Sequence, residues 1–257
     1  MNQKVNTMKK GFTLIELMLA MTFISMLLLA IALTIVQIAN IYNKGLITKE
    51  VNQSSRTVSD ELSLAMRSSG SFSLDPSANS YVKIVGAGNT PVGGRLCTGQ
   101  YSYIWNYGTA LANQDTNRNF YNGSNPSGNS VISGGVTRYE ISLVKVPDAG
   151  SSYCIPNGSG AYIKVNPVGA VELLRTGDHS LVLHNLTVAS VLSGKDSLSS
   201  QQLYKVSYTI GTSAILALNA DQSLCNGPDV QPPLVSDLNY CAVNQFTIVL
   251  RVVSGVN

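Results

Sequence analysis

Residues 17–36 carry no charged side chain, and apolar residues dominate the run. A helix needs about 20 such residues to cross a bilayer core. Beyond it the pattern changes. Ile47, Val51, Ser54, Val58, Leu62 and Ala65 recur in steps of four and three, while Glu50, Arg56, Asp60, Glu61 and Arg67 lie largely off that stripe. This is the period of an amphipathic helix laid against a core. No proline interrupts residues 12–70, and only Gly45 weakens a continuous helix there, as a flexible point or as a tolerated glycine. At 1.5 Å per residue the segment reaches roughly 88 Å if unbroken, so it continues well outside a membrane. Ser68-Ser69-Gly70-Ser71 ends it, with Gly70 as the C-cap.

From Phe72 onward the texture is β. Strand candidates are 81–85, 101–105, 137–146, 161–165, 170–174, 181–192, 203–210 and 245–253. Alternation is clearest in two of them. Tyr204, Val206, Tyr208 and Ile210 share a face opposite Lys205, Ser207 and Thr209; Phe246, Ile248, Leu250 and Val252 share one opposite Thr247 and Arg251. Half-buried antiparallel strands have this pattern. One sheet face packed on the helix stripe makes an α+β fold. Residues 106–135 are dense in Asn, Gly and Ser, a polar loop too poor in aliphatics to build a core. Tyr107, Phe120 and Tyr121 are its aromatic candidates for recognition, against the plainer reading of a solvated loop.

The start of the apolar run is the most specific signal. Lys9-Lys10-Gly11-Phe12-Thr13-Leu14-Ile15-Glu16 places a basic leader, a glycine, a phenylalanine and a lone carboxylate directly before it. A carboxylate at the hydrocarbon edge is costly and calls for a partner. This order resembles the N-terminal cleavage and methylation motif of type IV prepilins and type II secretion pseudopilins. The resemblance implies a pilin-like fold, cleavage by a membrane prepilin peptidase between Gly11 and Phe12, N-methylation of Phe12, and Glu16 as the assembly carboxylate. It implies the inner membrane, other pilin subunits and a pilus assembly platform as partners.

The chain thus divides into a removed leader (1–11), a transmembrane and assembly helix (12–40), its amphipathic continuation (41–70) and a β-rich extracytoplasmic head (71–257) with the polar loop at 106–135. An ordinary secretory signal is cut after its apolar region; here the junction precedes it, so the helix is retained. Lys4, Lys9 and Lys10 precede the span and no acid does, which keeps the leader cytoplasmic and sends the head outward. Of 17 Lys+Arg those three are lost with the leader, leaving 14 against 14 Asp+Glu. A neutral mature chain gives no support to nucleic-acid binding. Cleavage frees an α-amine on Phe12, which the Glu16 carboxylate of a neighbouring subunit would pair in a dry filament core, where an orphaned charge is penalised by several kcal/mol. The simpler role for Glu16 is to favour the helix N-terminus.

Four cysteines, at 97, 154, 225 and 241, all lie in the head. An even number beyond an export segment favours disulfides over zinc, since no Cys-x-x-Cys spacing occurs. Three pairings are open. Cys225 with Cys241 is preferred, because Gly227, Pro228, Pro232 and Pro233 make the enclosed stretch a loop and because many pilins close a similar C-terminal loop; Cys97 with Cys154 is what remains. His179 and His184 are spaced to fall on opposite strand faces, and neither a phosphate loop nor a Gly-x-Ser-x-Gly elbow appears, so neither a metal, a cofactor nor an enzyme is expected. The expectation is a structural filament subunit. Residues 58–67 resemble the corresponding helix of W/J-type minor pilins, and with the large head this points to a minor pilin that initiates or joins the filament. The alternatives are a major shaft pilin, or a membrane-anchored protein that binds a surface ligand or DNA without polymerising.

Overall fold

The computed structural model describes residues 11, 13–69, 74, 79–113, 120–121, 130–133, 136–166, 168–174, 181–191, 201–213, 217–226 and 240–253. The chain is α+β, with a long apolar N-terminal helix and antiparallel sheets in a pilin-like layout. It forms two compact units, Met1–Asn43 and Lys44–Asn257.

Helix α1 spans Leu14–Ser68 without a break at Gly45. In the first unit its side chains are nearly all exposed, Leu14 by 76 % and Phe23 by 66 %, and this stretch is long and apolar enough to cross a membrane. Its hydroxyls do not work against that. Thr22 donates to the Leu19 carbonyl, Ser25 to Met21 and Thr34 to Ala30, so these three hydroxyls are satisfied within the helix, as hydrocarbon surroundings demand.

The second unit carries strands β1 (Tyr81–Val85), β2 (Pro91–Cys97), β3 (Tyr101–Asn106), helix α2 (Gly108–Asn113), then β4 (Phe120–Tyr121), β5 (Ser130–Ser133), β6 (Val136–Glu140), β7 (Leu143–Pro147), β8 (Val171–Glu172), β9 (Leu181–Ser190), β10 (Gln201–Thr212) and β11 (Val243–Val253). They form a five-stranded sheet β1-β2-β3-β7-β8, a three-stranded sheet β9-β10-β11 and a small sheet β4-β6-β5. All the ladders are antiparallel.

The helix stripe lies in the main core. Ile47, Val51, Val58, Leu62, Ala65 and Met66 pack with Leu96, Tyr103, Trp105 and Leu143 of the five-stranded sheet and with Leu183, Leu186, Tyr204, Val206, Tyr208 and Ile210 of the three-stranded one. Each fully buried aliphatic there contributes roughly 1.5–3 kcal/mol relative to exposure. The Tyr208 hydroxyl adds polar pinning: it donates to the Ser55 carbonyl at 2.8 Å and meets the Ser59 hydroxyl.

The five-stranded sheet is covered on its other face too. Val82, Cys97, Ile104, Val144 and Val146 form a second core with Tyr153, Cys154 and Val165. Burial on both faces erases alternation in β2 and β3, where nearly every residue is buried. The sequence pattern therefore does not disclose β2. Its Gly93-Gly94 pair looks like a turn but makes room for the neighbouring strand: a Cβ on Gly94 would lie 2.4 Å from Cζ2 of Trp105.

Three other expectations are corrected. The 137–146 candidate is two strands, β6 and β7, in different sheets. Residues 161–165 form no strand, because side chains take their backbone groups: Asn157 Oδ1 accepts the Ala161 N–H and Arg95 Nη1 donates to the Ile163 carbonyl, each within 2.9 Å. The 106–135 segment is not simply a polar loop. Asn106 ends β3, α2 follows, and β4 and β5 lie further along. Tyr107 is no recognition residue, being 8 % exposed with its hydroxyl donating to the Leu186 carbonyl at 3.0 Å. Gly70, the expected C-cap, and the leader residues before Gly11 lie outside the described residues.

Candidate functional site

The site suggested by the N-terminal motif is built on the first turn of α1. Gly11 is exposed, and Phe12, the expected new terminus and methylation point, lies outside the described residues. Thr13 and Glu16 form a reciprocal cap. The Thr13 N–H and Oγ1 both reach Glu16 Oε2 at 2.9 Å, while the Glu16 N–H points back to Thr13 Oγ1 at 3.3 Å. This is the capping box that a Thr-x-x-Glu spacing allows, and it satisfies donors the helix start would otherwise leave orphaned. Glu16 thus has a local partner, and only Oε2 is engaged; Oε1 accepts no hydrogen bond among the described residues. Chemically the arrangement is an exposed anion with one free oxygen at the head of a helix whose next 27 residues, 17–43, carry no charge.

No protein-family model matches this chain, and no curated protein or solved structure does either. What the site can do rests on its own chemistry.

In the head both disulfides form as expected, Cys97–Cys154 and Cys225–Cys241, with Cα separations of 6.2 and 6.0 Å. The first is set in the second core beside Asp148. That carboxylate accepts from the Ser102 hydroxyl at 2.6 Å and from the N–H groups of Ser152 and Tyr153, fixing the turn that carries Cys154. Burial alone would raise the Asp148 pKa, but these hydrogen bonds outweigh it and hold the carboxyl below the ordinary range.

One polar cluster escaped the sequence reading. Glu61, assigned to the solvent side of the stripe, accepts from the Tyr103 hydroxyl at 2.7 Å and from Lys145 Nζ at 2.5 Å. It ties α1 to β3 and β7 at once. Lys145 also lies 4.1 Å from the centre of the Tyr101 ring. Burial works to raise the Glu61 pKa, yet the bonds from Lys145 and Tyr103 prevail and lower it. The only hint in the sequence was Tyr103 standing two residues from Trp105 in a strand. His179 lies outside the described residues, whereas His184 is buried.

Proposed function

We propose that this chain is a structural subunit of a type IV pilus or related pseudopilus, and specifically a minor pilin that initiates or joins the helical filament. The observation that carries the reading is the lone carboxylate, five residues after Gly11, at the head of a helix whose first half is exposed and otherwise uncharged. Prepilin peptidase would cut between Gly11 and Phe12 and methylate the new Phe12 terminus. Before assembly the helix anchors the subunit in the inner membrane with the head outside, a compartment suited to two disulfides. After assembly the same helix packs among its neighbours, at the cell surface or in the periplasm. There the free Oε1 of Glu16 faces a second task, pairing the Phe12 amine of an adjacent subunit. Mispositioned docking would leave both charges unpaired in a dry core, which makes the pair a register device. The role is mechanical and involves no reaction by the subunit itself.

The capping box favours a second reading, a non-polymerising membrane anchor in which Glu16 serves only its own helix. Shearing filaments from the native cell and quantifying this chain by mass spectrometry separates the two. A trace species starting at methylated Phe12 supports the minor pilin. The same peptide as the dominant species makes it the shaft subunit. A chain found only in membranes and still starting at Met1 removes the pilin reading altogether.

A further inference from the structure

The two larger sheets end in four strands, and three of these ends are guarded against further pairing. β8 is two residues long. β1 shifts register between Ile84 and Val85 and shows Lys83 to solvent. Along β9, tyrosines take the outward backbone groups. Tyr81 and Tyr107 donate to the Leu186 carbonyl at 3.2 and 3.0 Å, and the Leu186 N–H donates to Tyr107 Oη at 3.2 Å. Short strands, bulges, edge lysines and covered edges are the means by which a sheet refuses another strand.

β11 carries none of these devices among the described residues. Its eleven residues pair with β10 in a single register, with no proline and no lysine. The Thr212 N–H donates to the Ala242 carbonyl, which sets the alternation. Asn244, Phe246, Ile248, Leu250 and Val252 bond to β10, so the backbone groups of Gln245, Thr247, Val249 and Arg251 point away from it. Asn244 Oδ1 occupies the Gln245 N–H at 2.8 Å. Thr247, Val249 and Arg251 are exposed, Val249 by 57 %. Successive donor–acceptor sites about 6.8 Å apart match the backbone of an extended chain.

Charge says which chain. β9, β10 and β11 together hold two ionised side chains, Lys205 and Arg251, and no acid. Both lie on the sheet face away from α1, where Lys205 sits opposite Val249 and Arg251 is its diagonal neighbour. A second copy of this edge would bring only the same cations. We propose that the β11 edge takes up an extended segment of another protein, one that carries a carboxylate on the side of Lys205 and Arg251. Main-chain hydrogen bonds hold the segment, and the carboxylate sets its register, since opposite charges across strands attract and like charges repel. The proposal does not rest on the pilin reading.

Two short soluble peptides of alternating valine and threonine test it, one with glutamate and one with lysine in place of a central threonine. Hydrogen exchange of the full chain in detergent micelles is the readout. The glutamate peptide should protect the amides of Thr247, Val249 and Arg251, and the lysine peptide should bind about tenfold more weakly. Arg251→Glu should cancel that preference. Val249→Pro should abolish binding of both peptides yet keep the β10–β11 ladder, because the lost N–H points outward; protection of the Tyr208 and Phe246 amides shows that this variant folds. Equal binding of the two peptides, binding retained in Val249→Pro, or protection by neither overturns the proposal. So do edge amides already protected in the peptide-free monomer, where the chain fills its own edge. Dimerisation that is lost in Val249→Pro overturns it as well, by making the occupant a second copy.

Discussion

Glu61 offers a graded test of how α1 is held to the sheet. Glu61→Leu leaves the Tyr103 hydroxyl without its acceptor in a side chain that is fully buried. An orphaned buried donor costs about 1–3 kcal/mol. Lys145, 22 % exposed, can turn toward water, so the lost ion pair adds at most about 1 kcal/mol. The expected loss is about 1–4 kcal/mol. Glu61→Gln keeps an acceptor for Tyr103 and removes only the charge, so it should cost no more than about 1 kcal/mol. Denaturant unfolding in micelles reads this directly, because the chain has one tryptophan, Trp105, buried in the same core. The lowered Glu61 pKa adds a pH signature. Its contribution is complete above the unfolded value of about 4.3 and is lost as pH falls through the folded value, a step that Gln removes. Equal costs for Leu and Gln, or no cost for either, would refute the account of a Glu61–Tyr103–Lys145 cluster holding the helix.

Other perturbations separate the remaining parts. Glu16→Ala should insert and be cleaved normally yet enter sheared filaments poorly; normal incorporation, measured by immunoblot, counts against subunit pairing. Replacing Cys97 and Cys154 by serine should cost about 4 kcal/mol, and the Cys225–Cys241 pair about 3 kcal/mol, since the bridges span 57 and 16 residues; chemical denaturation checks the order. Gly94→Ala sets a methyl against the Trp105 indole and should destabilise by about 1–3 kcal/mol with altered Trp emission. A native Tm and spectrum in that variant would deny the close approach.

The readable parts of this chain are those facing a single core. The helix stripe was legible because each of its members meets the same core, and all six of its positions are buried. The same holds for β10 and β11, each with one face in and one face out. β2 was not legible, since it is buried on both sides and begins Pro-Val-Gly-Gly for the sake of a neighbouring indole. His184 is the extra residue of a bulge in β9, which depends on which residues of β10 lie opposite, a fact no local pattern holds. The apolar first half of α1 could be read because its residues are contiguous in the sequence. The Glu61–Tyr103–Lys145 cluster could not, because it joins positions 42 and 84 residues apart.

Among the described residues the main core takes none before Ile47. The packing that decides whether the head is folded is therefore indifferent to the solvent around the first half of α1. In the proposed filament, an exchange of lipid tails for protein neighbours along that segment would leave this core packing unchanged. Transfer between two such environments would then be a question of partition for one segment, with no refolding behind it.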